Sequence, residues 1–271
     1  MIHLLNYGRL LYWVQERDAV RKKKEMGMSK PWSNDMVFRT TYFCNVRRED
    51  DRVTRFIRKM YSPYVGHSLF THNIILSRFL NWPDTLDHID YQPGWDPPYV
   101  NARLKERKLL GKVWGNAYVV STCGRQMDKI DYLTEIVMPS IGEVLLDFHH
   151  DTLWEAATAL QFIEGISTFM AGQVIADLKN TPGHPLQEAP DWWDFALPGP
   201  GSVRGMDWVC GEKVPRSLFH PTLLRIRDML DVDAGVGDLC AQDVQNCLCE
   251  YDKWERVING TGRSKRSYNG Y

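Results

Sequence analysis

The feature that most constrains the fold is a helical period that returns along almost the whole chain with no strand-helix alternation beside it. Residues 4 to 28 read as a helix rich in Arg, Lys and Glu that Gly27 ends. Further helices are predicted at 68–80, 98–109, 125–138, 141–164, 167–179, 218–230 and 242–258. A Rossmann or barrel plan needs strands between such helices, so the expected architecture is mainly α. From Arg48 onward, Val53, Phe56, Ile57 and Met60 make an apolar helical stripe. Arg48, Arg52, Arg55 and Lys59 recur beside it at helical spacing; they either present a cationic face or pair with Glu49, Asp50 and Asp51.

Between the helices the pattern weakens. Val37 to Phe43 is β-branched and aromatic with no partner strand in view, which predicts an extended segment lying on a helical body. Residues 84–98 form a connection rich in Pro, Trp and Asp, residues 181–204 read as a long irregular segment, and 117–122 is either a strand or a buried turn.

The chain has 271 residues, 44% of them hydrophobic, enough for one large domain or two small ones. No apolar run approaches the roughly 20 residues that span a bilayer as a helix. The N-terminus lacks the basic, apolar and small-residue regions of a secretory signal. Six Cys without an export signal read as reduced thiols, and the expected location is the cytoplasm. A formal net charge of -1 gives no support for a general nucleic-acid coating, which moves attention to local basic runs. One is Arg21 to Lys24; the other is Arg263, Lys265 and Arg266. Either suits a phosphate backbone, or a solvated helix face and a frayed tail. The expected division is a basic N-terminal helix or arm over 1–30, a helical catalytic domain over 31–258 and a basic tail over 259–271.

Two segments carry chemistry. Residues 160–178 read as helix, tight turn at Gly165 and second helix, with Ser167 able to cap the latter. The first amides of that helix, around Gly165, Ser167 and Thr168, are candidates for a DNA phosphate, although such corners are common in helical proteins. Pro190 to Gly205 then sets two Trp between carboxylates and follows them with Pro-Gly-Pro-Gly-Ser-Val-Arg-Gly. Read as a loop, it offers backbone N–H groups at Gly201 and Ser202, a planar fork at Arg204 and aromatic walls for a base. The alternative is a Trp-Pro packed loop with Arg204 in a salt bridge.

In order, Asn45-Val46-Arg47-Arg48-Glu49-Asp50-Asp51-Arg52-Val53-Thr54, Pro190-Asp191-Trp192-Trp193, Pro198 to Gly205 and Cys249-Glu250-Tyr251-Asp252-Lys253-Trp254-Glu255-Arg256 resemble the phage-associated alpha-glutamyl/putrescinyl thymine pyrophosphorylases. Members of that family are also described as amino acid:DNA transferases, and the resemblance covers roughly residues 30 to 258. It implies a helical DNA-glycosylase-like architecture with a helix-turn-helix hairpin and a long active-site loop. It also implies a reaction on phage double-stranded DNA in which an amine replaces pyrophosphate on the exocyclic carbon of pyrophosphorylated 5-hydroxymethyluracil. The implied partners are a free amino acid or polyamine and a 5-hydroxymethyluracil DNA kinase acting earlier. Gly165-Ile166-Ser167 is only partly like the glycosylase hairpin, and Met170 is no lysine, so Schiff-base excision is not expected.

With that resemblance, Asp191 is the candidate to take the proton of the incoming ammonium, and Asp194 is the alternative. Arg47, Arg48, Arg52 and Arg204, helped by Lys253 and Arg256, are candidates for the pyrophosphate. Trp192 or Trp193 would stack on a flipped base whose edge Asn45, Gln245 and Asn246 would read. Magnesium would serve as a pyrophosphate counterion, although no Asp cluster demands it. The competing readings are a glycosylase that cleaves the N-glycosidic bond, a noncatalytic DNA-binding module and a helical interaction protein.

Overall fold

The computed structural model describes residues 2–117 and 120–262. Tyr118 and Val119 of the short apolar run, and Arg263, Lys265 and Arg266 of the basic tail, lie outside the described residues. Helices follow one another: α1 Leu4–Glu25, α2 Met36–Thr40, α3 Arg52–Tyr61, α4 Phe70–Leu80, α5 Pro83–Ile89, α6 Pro97–Leu110 and α7 Lys129–Asp131. Then come α8 Met138–Val144, α9 Leu153–Leu160, α10 Thr168–Lys179, α11 Pro200–Cys210, α12 Arg216–Asp233 and α13 Ala241–Ile258. No described helix is long and apolar enough to cross a membrane. All six cysteines are free thiols.

The chain divides into two compact units. One combines Met1–Asp51 with Trp193–Tyr271, and the other is Arg52–Trp192. In the first, α1 belongs to the core: Leu10, Trp13 and Val14 are fully buried with Met206 and Val209 of α11 and Leu248 and Tyr251 of α13. Arg9 of α1 also donates twice, at 2.7 Å, to the carboxylate of Glu255.

α11 and α13 approach at backbone distance because Gly201 and Gly205, four residues apart, face α13. A Cβ on Gly205 would overlap the carbonyl of Leu248, and one on Gly201 would overlap the Cys249 sulfur. The Pro-Gly string expected to be a loop is therefore the opening of a helix. Pro200 sits at its first positions, where a missing N–H costs nothing, and the glycines serve close packing.

Of the segment expected to be extended, Val37 to Thr40 is helical in α2, where the Asp35 side chain caps the first amides, and the chain runs extended over α13 only from residue 42. There α13 supplies side chains at helical spacing to its backbone groups. Lys253 Nζ donates to Tyr42 O at 3.1 Å, Glu250 accepts from Cys44 N at 3.0 Å, Asn246 donates to Asn45 O at 3.3 Å, and Asp243 accepts from Arg48 N at 3.2 Å.

In the second unit α4 is buried on nearly every side, from Phe70 to Leu80. Its polar positions are matched accordingly: Asn73 exchanges two hydrogen bonds with the backbone of Gln92, and Arg78 forms a bidentate pair with Asp177 of α10. The helix expected over 141–164 is interrupted. A 3-10 turn at Leu145–Asp147 and a short connection precede α9, whose start is a capping box of Thr152 and Glu155. The cationic stripe expected from Arg48 likewise divides, with Arg48 in a 3-10 turn (Arg48–Asp50) and α3 beginning at Arg52.

Candidate functional site

One polar arrangement in the first unit is built on Asp252 of α13, whose side chain is 1% exposed. Arg204 reaches it from α11 through Nε at 3.1 Å and Nη2 at 2.8 Å, Arg256 through Nε at 3.1 Å, and Trp208 Nε1 at 3.3 Å. Hydrogen bonding to Asp252 raises the Arg204 pKa, so the guanidinium stays charged. Two cations on one anion leave about one net positive charge. The Arg204 side chain is 50% exposed, so this charge is held in a fixed orientation and remains open to solvent. Such a pair suits a phosphate or pyrophosphate oxygen. Sequence reasoning named Arg204 and Arg256 but not Asp252 as their common anchor, since Arg204 lies 48 residues from it.

A second polar knot sits where residues 44–51 meet α1 and α13. Arg17 donates to Cys44 O at 2.9 Å and to the side chain of Asn45, whose amide donates to Asp50 O at 2.9 Å. Asn45 N donates to Asp51 at 3.1 Å. Asp51 is pushed up to about 6 by burial, which outweighs that hydrogen bond and the nearby Arg48 and Arg17. A carboxylate of this affinity can exchange a proton near neutral pH. Because the folded value is raised, the fold binds an extra proton between about pH 4, near the unfolded value, and pH 6. Stability should fall as pH rises through that window. Asp51→Asn should flatten that part of a stability-against-pH profile, measured by urea midpoint; an unaltered slope would assign it to other groups.

The other candidates in this unit are placed as follows. Arg47 Nη2 donates to Asp238 O at 3.0 Å and packs on Gly237, and Arg48 is 8% exposed. Asn246 and Lys253 hold the extended backbone, and Lys253 also pairs with Glu250 at 2.5 Å. Gln245 is buried beside Gly199. Trp193 is 52% exposed while its carbonyl accepts from Ala241 N at the start of α13. Asp194 pairs with Arg227 at 2.5 Å. Gly201 and Ser202 are buried, and the Ser202 hydroxyl bonds both N and O of Gly199.

Asp191 and Trp192 end the second unit. Both Asp191 oxygens accept backbone amides, from Leu153 at 2.9 Å and Trp154 at 3.1 Å, while Thr152 takes that of Glu155 at 3.2 Å. The first three amides of α9 are thereby satisfied. Asp191→Ala should cost about 1–2 kcal/mol of stability, as loss of a helix cap does. The measurement is thermal unfolding, and an unchanged midpoint would deny Asp191 this capping role. Trp192 Nε1 donates to Lys179 O at 2.9 Å, and the Lys179 ammonium lies 4.2 Å from the ring centroid and donates to Trp192 O. Arg52 is exposed at the first position of α3.

The hairpin turns at Gly165, whose φ of +81° suits glycine. Ser167 occupies the cap position of α10 without a side-chain cap bond, and Thr168 bonds Gln161 at 2.9 Å. Among the described residues no three His, Cys, Asp or Glu side chains gather as a metal ligand set.

Each unit is helical, without strands among the described residues, and the first carries a cation pair on a buried carboxylate. The chain belongs to the family described as the helical domain of 5-hmdU DNA kinase, whose model matches residues 6–263. A 5-hmdU DNA kinase of Bacillus phage SP10 is 23% identical over 223 residues, 72% of this chain. The chain spans about a third, 34%, of that relative's length. The family shown is that of the kinase helical domain, not the transferase family to which the motifs were compared. No solved structure matches the chain.

Proposed function

We propose that the chain works on phage DNA carrying a phosphorylated or pyrophosphorylated 5-hydroxymethyluracil, and that its reaction replaces pyrophosphate with an amine. The observation that carries the first part is the family match, which runs over almost the whole chain. The second part is supported by Arg204 and Arg256 on Asp252, an oriented cation pair of the kind that stabilises a departing diphosphate.

In that reaction the bond from the exocyclic carbon to the pyrophosphate oxygen breaks and pyrophosphate leaves with the electron pair. A carbon–nitrogen bond forms, and the proton of the incoming ammonium passes to a carboxylate. Asp51, with its raised proton affinity, suits that acceptor role better than Asp191, whose oxygens are both engaged by amides of α9. Asp194 would have to leave Arg227 to serve. The amine donor would be an amino acid or polyamine, and a 5-hydroxymethyluracil DNA kinase would supply the activated base.

A second reading is favoured by the length of the relative, a 5-hmdU DNA kinase three times longer than the stretch matched. In it, the helical domain holds DNA for a phosphorylation step and performs no transfer itself. Mass spectrometry of nucleosides separates the readings. The protein is incubated with pyrophosphorylated 5-hydroxymethyluracil DNA and a panel of amines, and separately with 5-hydroxymethyluracil DNA and ATP. An amine-linked nucleoside with released pyrophosphate supports transfer. Binding of the DNA with no modified nucleoside in either arm supports the second reading, free base would indicate glycosylase action, and absence of the amine adduct across an active panel sinks transfer.

A further inference from the structure

Away from the Asp252 cluster, the first unit contains a polar recess of about 290 Å³ lined by Tyr12, Glu16, Lys23, Pro31, Trp32, Ser33 and Asn34. Tyr12, Glu16 and Lys23 fall on one stripe of α1, at offsets of four and seven, and the rise of an α-helix separates Glu16 from Lys23 by about 10 Å. Trp32 is fixed at the Lys23 end: its Nε1 donates to Met28 O at 2.7 Å and its carbonyl accepts from Lys23 Nζ at 2.8 Å. Two further ammonium groups approach the same ring, Lys30 at 5.3 Å and Lys24 at 5.9 Å from its centroid.

An aromatic ring approached by two lysines, with a third on its backbone carbonyl and a carboxylate and an amide farther along the same wall, matches the parts of a nucleotide. A base stacks on an indole, phosphate oxygens take the ammonium groups, and the N–H groups of a base edge donate to a carboxylate. Glu16 has no hydrogen-bond or ion-pair partner among the described residues and repels phosphate, which fixes the orientation: phosphate toward Lys23, Lys24 and Lys30, base edge toward Glu16 and Asn34. We propose that this recess is a nucleotide-binding site that takes one unstacked nucleotide. The inference uses no residue of the Asp252 cluster and does not depend on the transfer reaction.

The test is titration of the full chain with a short oligothymidylate and, separately, with thymidine 5′-monophosphate and ADP, by calorimetry and by the indole N–H resonance of Trp32. Binding that moves this resonance, and that weakens about tenfold or more both in Trp32→Ala and in the double charge reversal Lys24→Glu with Lys30→Glu, supports the site. The double reversal changes exposed side chains only, so a folding defect in Trp32→Ala leaves the test intact. Tighter binding of the oligonucleotide assigns a DNA strand as the source, and tighter binding of a free nucleotide assigns a mononucleotide. Affinity unchanged by the charge reversal, or no binding of any probe at millimolar concentration, overturns the proposal.

Discussion

Gly205→Ala should destabilise the protein by on the order of 3 kcal/mol or more, enough to lower its unfolding midpoint severely or prevent folding. The added methyl group would overlap the Leu248 carbonyl, which is main chain of a buried helix and cannot swing aside. The two helices would have to separate, and the packing of Met206 and Val209 against Leu248 and Tyr251 would loosen with them. Gly8→Ala is the matched control. Gly8 lies inside α1 with nothing within 4 Å of its would-be Cβ, so alanine there should stabilise by up to about 1 kcal/mol through helix propensity. Urea midpoints of both variants check the pair; equal effects would contradict the close crossing of α11 and α13.

Asp177→Asn should be comparably damaging, costing about 3–5 kcal/mol, because it leaves the Arg78 guanidinium buried without its anion. The two side chains are each 2% exposed, and both Asp177 oxygens accept from Arg78, which also reaches Thr54 and Asn81. The pair itself need not be a large net source of stability, since desolvating two charges offsets most of their attraction. Arg78→Met combined with Asp177→Leu should therefore lose less than Asp177→Asn alone. A double-mutant cycle on unfolding free energy measures this, and additive losses would argue against direct coupling.

Much of this fold was readable wherever a helix carries its own period. The expected spans 68–80, 98–109, 167–179 and 242–258 fall within two residues of α4, α6, α10 and α13. α11 escaped because Pro and Gly are read locally as breakers. Here Pro200 opens the helix and the glycines answer a partner 43 residues or more along the chain, a requirement no local window contains. The break inside 141–164 had a signal that went unused, the Thr152/Glu155 capping box.

The site was legible in part for the same reason. Arg204 and Arg256 stand out by residue type and motif, whereas Asp252 looks like an ordinary helical partner of Arg256 until α11 brings Arg204 to the same oxygen. Asp191 shows the converse. Its sequence neighbours suggest chemistry, and only the fold reveals that its two oxygens terminate α9. The raised proton affinity of Asp51 likewise arises from burial beside α1 and α13, which composition does not encode.

The most direct test of the account compares the affinity of the protein, and of Arg204→Gln, for three duplexes that differ at one thymine position: unmodified, 5-hydroxymethyluracil, and its pyrophosphorylated form. Recognition of the activated base by the Asp252 cluster predicts at least a tenfold preference of the unaltered protein for the pyrophosphorylated duplex, largely lost in Arg204→Gln. Equal affinity for all three duplexes, or a preference that survives the substitution, would contradict it.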